Sequence, residues 1–218
     1  SLNNGFTTDD HFMRALYKDF PGLDALKRSP LESFAFSKGN VQENQWLRDK
    51  GGFPWWAVTD AKLSFFRPLA SATHWFDYTT WPDRARPMHL QNVVWLSIAC
   101  GLAFVLYREI CGPPWIAWLA GFMFAADEIH GQAVGWISSR NTLMVASAAI
   151  CVLIAHHRWR TTRRDRWAVA AFAAYGVGLL CGEGAIGVCA YLFAYALVMG
   201  SDPWRGRFLS LSPYAAIT

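Results

Sequence analysis

Five stretches of this chain carry no Asp, Glu, Lys or Arg: residues 89–107, 110–126, 141–157, 167–182 and 184–201. Each is 16–19 residues long, just under the roughly 20 that a helix needs to cross the hydrocarbon of a bilayer. A soluble helix of that length presents a polar face every 3.6 residues or so. Segments such as LSIACGLAFVLY and AIGVCAYLFAYALVMG are apolar all round. Flanking charges that snorkel, and helix ends that enter the interface, make up the missing length. The pattern therefore predicts five membrane-spanning helices within 89–201. Small residues recur among them (Gly176, Gly178, Gly182, Gly184, Gly187), as where membrane helices pack closely.

Residues 1–88 read differently. They hold 11 Lys/Arg and 10 Asp/Glu, and form a water-compatible loop that carries interfacial helices. In DDHFMRALYKDF, Phe12, Met13, Leu16, Tyr17 and Phe20 share one helical face, which predicts a helix lying along the membrane surface. A Pro/Gly-rich stretch follows, then FPWWAV and THWFDYTTW. Trp55, Trp56, Trp75 and Trp81 are candidate interfacial anchors. Residues 202–218 read as a cytoplasmic turn and the start of a further apolar helix, and the chain as a piece of a longer protein. The fold class expected is an all-α, polytopic membrane bundle with one large outer loop.

Charge sets the orientation. The formal net charge is +4, and residues 158–166 alone carry that much, through Arg158, Arg160, Arg163, Arg164 and Arg166 against Asp165. A nucleic-acid-binding domain would instead spread a basic face over a folded surface, so no nucleic-acid partner is expected. Basic residues in short loops mark the cytoplasmic side. Arg108, Arg205 and Arg207 fall on the same side by counting spans, which leaves 1–88, 127–140 and Glu183 outside. The five Cys (100, 111, 151, 181 and 189) lie in or beside apolar runs and follow no disulfide or zinc spacing; they read as small apolar helix residues.

Candidate chemistry gathers on the outer side. Asp9 and Asp10 are adjacent, and neighbouring carboxylates raise one another's pKa toward that of a base. The same pair also suits the first turn of a helix, where acids are favoured. Arg67 in FRPL and Arg140 in SSRN present planar donor forks that fit phosphate, or snorkel to headgroups. His89 and Asn92 open the first span, and Asp127, Glu128 and His130 follow the second; two carboxylates and one His do not specify a metal site. Glu183 is the single charge between residues 167 and 201. At membrane depth it would be functional by default; in water it is a hairpin turn.

The order of these elements resembles the GT-C membrane glycosyltransferases, nearest to protein O-mannosyltransferases and their tetratricopeptide-repeat-fused relatives. In that family an outer loop opens with an acidic pair, here Asp9-Asp10 in NNGFTTDDHF. It ends with a Tyr-Arg-Pro-Leu element, here FRPL at 66–69, and a His-Leu-x-Asn element, here HLQN at 89–92. A later outer loop runs from His to Gly-Arg, here HGQAVGWISSRNTLMVA, and a Ser-Lys-Glu turn becomes CGEGAIG. The resemblance covers residues 3–200. Ser139 stands in place of the Gly before Arg140, Gly131 in place of a Pro, and Gly182 in place of the Lys before Glu183.

The resemblance implies a GT-C-like bundle and an inverting transfer of a sugar from a polyprenyl-phosphate donor to a protein or glycan acceptor on the non-cytoplasmic side. Asp9, or Asp10, would take the acceptor proton. Arg67 and Arg140 would hold the leaving phosphate, with His89, Asn92, Glu128, His130 and Glu183 in support. The lipid tail would lie between helices. No cofactor and no metal are expected, with a divalent cation as the alternative. The location implied is a bacterial inner membrane, or the endoplasmic reticulum in a eukaryote. A catalytically inactive scaffold, or a transporter on the same bundle, is the rival; a transporter places its polar groups near the bilayer midplane, whereas these cluster at one interface.

Overall fold

The computed structural model describes residues 4–7, 9–18, 28–200 and 202–217. Most of them are helical. The described elements run α1 (Asp9–Tyr17), β1 (Ala35–Lys38), α2 (Val41–Asp49), β2 (Lys62–Ser64), α3 (Pro68–Thr80), α4 (Ala85–Ile110), α5 (Pro114–Ala126), α6 (His130–Gly135), a 3-10 turn (Ile137–Ser139), α7 (Arg140–Thr162), α8 (Asp165–Cys181), a second 3-10 turn (Glu183–Gly187), α9 (Val188–Val198), α10 (Trp204–Leu209) and α11 (Ser212–Ile217). The departure from an all-helical chain is small. β1 and β2 pair antiparallel, with Lys38 opposite Lys62 and a bulge between Ala35 and Ser37.

Each charge-free run becomes a helix, but not of equal reach. Ala85–Ile110 and Ile137–Thr162 are both 26 residues and apolar enough to cross a membrane, about 39 Å each at 1.5 Å per residue. α5, α8 and α9 have 13, 17 and 11 residues, each shorter than the roughly 30 Å of hydrocarbon. Their outward surface is apolar all the same: Trp118, Phe122, Val169, Tyr191 and Val198 are exposed. Only 17% of the most apolar window of α4 is buried inside the molecule. Apolar surface on this scale supports membrane association, since water would charge heavily for it.

α7 is the axis of the fold, packed along α8 on one side and α4 on the other. It ends where Arg163 turns left-handed (φ 57°). Arg160 and Arg163 both bond Asp202 there, which draws the chain before α10 against the end of α7. α3 starts cleanly because Pro68 sits in its first turn, where a missing N–H costs nothing. It packs against α7 and α8.

α1 forms as the apolar spacing predicts, but its apolar face does not lie on a bilayer. Met13 and Leu16 are buried with Phe34, Ala70, Tyr78, Met88 and Ile137. The protein itself, through α3 and the start of α4, supplies the apolar partner that the helix needs. Phe20, assigned to the same face, lies outside the described residues. Trp55, Trp56 and Trp75 are exposed, while Trp81 packs edge-on against Phe76.

Candidate functional site

The two adjacent acids have separate fates. Asp10 is fully buried. Its Oδ2 accepts from the Thr7 backbone N–H (3.0 Å) and hydroxyl (3.1 Å), and its Oδ1 from the Ser138 N–H (2.8 Å) and hydroxyl (2.5 Å). The Tyr78 hydroxyl donates to its backbone carbonyl at 3.1 Å. Asp10 thus ties the start of α1 to the chain before α7. Asp9 is half-buried and makes no such bonds among the described residues. Burial, and then the neighbouring Asp10 charge, push its carboxyl above the ordinary range.

Arg140 lies in the interior and not at a headgroup surface: its side chain is 0% exposed. Nη2 pairs with Asp77 Oδ2 at 2.5 Å and donates to the Met88 carbonyl at 3.2 Å, and Nε donates to Asn92 Oδ1 at 2.9 Å. Asn92 turns its amide to the carbonyls of Ala133, Val134 and Trp136. His89 contacts the carbonyls of Val134 (3.4 Å) and Gly5 (3.3 Å). HLQN at the head of α4 therefore anchors the 130–139 connection and the N-terminal segment at once. Gln91, from the same element, donates to Asp77 Oδ1.

Asp77 went unnoticed in the sequence. A lone carboxylate between aromatics in WFDY was the available signal: it must face a cation or lie exposed. Burial pushes its carboxyl up in spite of Arg140. One turn earlier on α3, His74 is also fully buried, and burial together with the Arg140 charge holds its imidazole neutral, well below the usual range.

Arg67 sits at the opposite end of α3 from Asp77, ten residues away, or about 15 Å of helix rise. Its Nε donates to Glu183 Oε2 at 2.9 Å and its Nη2 to Oε1. These bonds hold the Glu183 carboxyl below its ordinary range. The rings of Phe34 and Phe65 lie 4.9 and 4.6 Å from the guanidinium carbon, within cation–π reach. Leu69 and Cys181, each two residues from this pair, line the groove that opens beside it. The groove has a volume of about 810 Å3 and runs between α3, α4, α7 and α8, past Trp95, Ile98, Leu102, Met144 and Val177.

The predicted residues thus form two groups. Asp10, His89, Asn92 and Arg140 share one buried network, with Asp9 at its edge; Arg67 and Glu183 form the second. Glu128 and His130 join neither. Glu128 is exposed, and His130 contacts the Phe124 carbonyl at 2.7 Å. Among the described residues no three His, Cys, Asp or Glu side chains gather as a metal site.

Over 171 residues, 73% of this chain, the sequence is 33% identical to "Protein O-mannosyl-transferase Tmtc2" of Drosophila melanogaster. The matched stretch spans 18% of that protein's length. No family model matches the chain, and no solved structure matches it. The similarity is distant and partial, and it agrees with the resemblance read from Asp9-Asp10, FRPL and HLQN.

Proposed function

We propose that this chain belongs to a GT-C type membrane glycosyltransferase that moves a sugar from a polyprenyl-phosphate donor to a protein or glycan acceptor outside the cytoplasm. What carries the reading is the apolar groove with a fixed arginine two residues along the chain from Leu69 in its wall. A prenyl tail is apolar and needs such a groove; its phosphate needs a planar donor fork at the end of it. The mannosyl transfer in the relative's name makes mannose the first sugar to try.

In this reading the acceptor oxygen attacks the anomeric carbon as the bond from that carbon to the phosphate oxygen breaks. The configuration inverts, and the polyprenyl phosphate leaves with the bonding electrons. Asp9 takes the acceptor proton. Its raised pKa, and oxygens without a partner among the described residues, suit a base, whereas Asp10 has its acceptor positions filled. Arg67 steadies the negative charge that grows on the departing phosphate. Arg140 acts from within as the cation that joins α3, α4 and α7, and does not touch the donor. The other three helices pass through or into the bilayer beside α4 and α7, with residues 1–88 outside.

The test is transfer from polyprenyl-phosphate mannose in membranes that hold the intact protein. Asp9→Asn keeps the shape and removes the base, so turnover falls by about 10²–10⁴ with folding unchanged. Arg67→Ala raises the KM for the donor, because the contact exists in the ground state too. Full activity of the Asp9 variant refutes the base. A wild type that binds donor and never turns over is the inactive scaffold.

A further inference from the structure

We propose that Glu183 is a positioning residue that holds Arg67 with one edge of its guanidinium turned out for a phosphate. The proposal rests on the reading of Arg67 as the donor-phosphate residue. A guanidinium is a flat plate with two faces and donor edges of fixed geometry. On Arg67 two aromatic rings lie against the guanidinium and one edge is occupied. Phe34 and Phe65 lie 4.9 and 4.6 Å from its carbon, and the Nε–Nη2 edge faces both oxygens of Glu183. Nη1 makes no hydrogen bond among the described residues. The side chain is only 16% exposed, so it has little freedom to swing.

This arrangement answers a particular cost of binding. A free arginine must give up its rotamers to grip an anion, and that loss subtracts from affinity. Here the ion pair and the rings hold the fork in advance. Arg67 comes from the turn before α3 and Glu183 from the turn after α8, 116 residues apart in the chain, so the pairing also ties together two of the helices that wall the groove. The Glu183 carboxylate is 53% exposed, and water screens much of its repulsion toward an arriving phosphate. The opposite role, in which Glu183 competes with phosphate for Arg67, predicts an effect of opposite sign.

The experiment measures binding of farnesyl phosphate, farnesol and inorganic phosphate to the intact protein in lipid nanodiscs. The ratio of farnesyl phosphate affinity to farnesol affinity isolates the headgroup. Glu183→Gln and Glu183→Ala are each expected to lower that ratio about tenfold while farnesol binding is unchanged. An unchanged ratio overturns the proposal. So does a higher ratio, which makes Glu183 a competitor, and so does a parallel loss of both ligands with a lower melting temperature, which marks a merely structural contact. Inorganic phosphate identifies the source of the anion: weak binding assigns the site to a lipid-borne phosphate, tight binding to free phosphate, and the Glu183 effect is expected on whichever binds. Arg67→Ala separates the two levels. If it leaves the ratio intact, the donor-phosphate reading fails and this proposal with it; if it lowers the ratio and the Glu183 variants do not, this proposal fails alone.

Discussion

Replacing Asp77 by Ala is expected to destabilise the protein strongly. The substitution leaves Arg140 as a fully buried cation that cannot shed its proton. Nε keeps Asn92, and Nη2 keeps only the Met88 carbonyl. Breaking a buried ion pair from one side costs about 3–5 kcal/mol. The two surviving hydrogen bonds place this case near 3. At about 2–4 °C per kcal/mol for a chain of this size, the melting temperature falls by roughly 6–12 °C.

Burial offsets much of the attraction within the intact pair, and it raises the Asp77 carboxyl despite the arginine beside it. A group whose folded pKa is raised stabilises when protonated, and that contribution is lost as pH rises through the folded pKa. Asp77→Leu with Arg140→Met is therefore expected to recover part of the loss. A deficit of about 1–2 kcal/mol remains, from Asn92 Oδ1 and the Met88 carbonyl left without their donor. Tryptophan fluorescence during thermal unfolding of the solubilised protein reads all three forms. A melting temperature for Asp77→Ala within a degree of the parent refutes the argument, as does a double variant no more stable than the single.

Three further outcomes follow from the site. Asp10→Ala removes the acceptor of four hydrogen bonds from Thr7 and Ser138 and is expected to cost about 2–4 kcal/mol in the same unfolding assay, whereas Asp9→Asn leaves the melting temperature within a degree. Asp9 must be ionised to act as a base, and its carboxyl is raised by burial and by Asp10; kcat/KM should climb with pH along an acid limb above the ordinary carboxylate range, and Asp10→Asn should move that limb to lower pH. Single cysteines at Lys38 and Thr162 report topology: an impermeant maleimide should label position 38 from outside and position 162 only after permeabilisation, and outside labelling at 162 reverses the orientation.

Local information determined a good part of this protein. Helices close their hydrogen bonds within a few residues, so the charge-free runs and the spacing of Met13 and Leu16 were enough to locate α1, α4, α5, α7, α8 and α9. The acidic pair marked one of the starts. The same runs could not say which helices reach across a bilayer, because run length and helix length differ: the run 89–107 extends into a helix from Ala85 to Ile110, while 110–126 loses its first residues to Cys111, Gly112 and Pro113. Nor could periodicity name the partner of an apolar face. α1 looked the same whether a bilayer or Phe34, Tyr78 and Met88 were to cover it, since the hydrophobic effect responds to apolar area and not to its owner. Charge identity was legible and charge environment was not. Arg67 and Arg140 are equivalent as residue types, yet Asp77 holds Arg140 in the core while Glu183 and two aromatic rings hold Arg67 in a less buried place. Those partners lie 63 and 116 residues away along the chain. Electrostatic pairing depends on distance in space and on burial, and only the packing of α3 across α7 and α8 sets either.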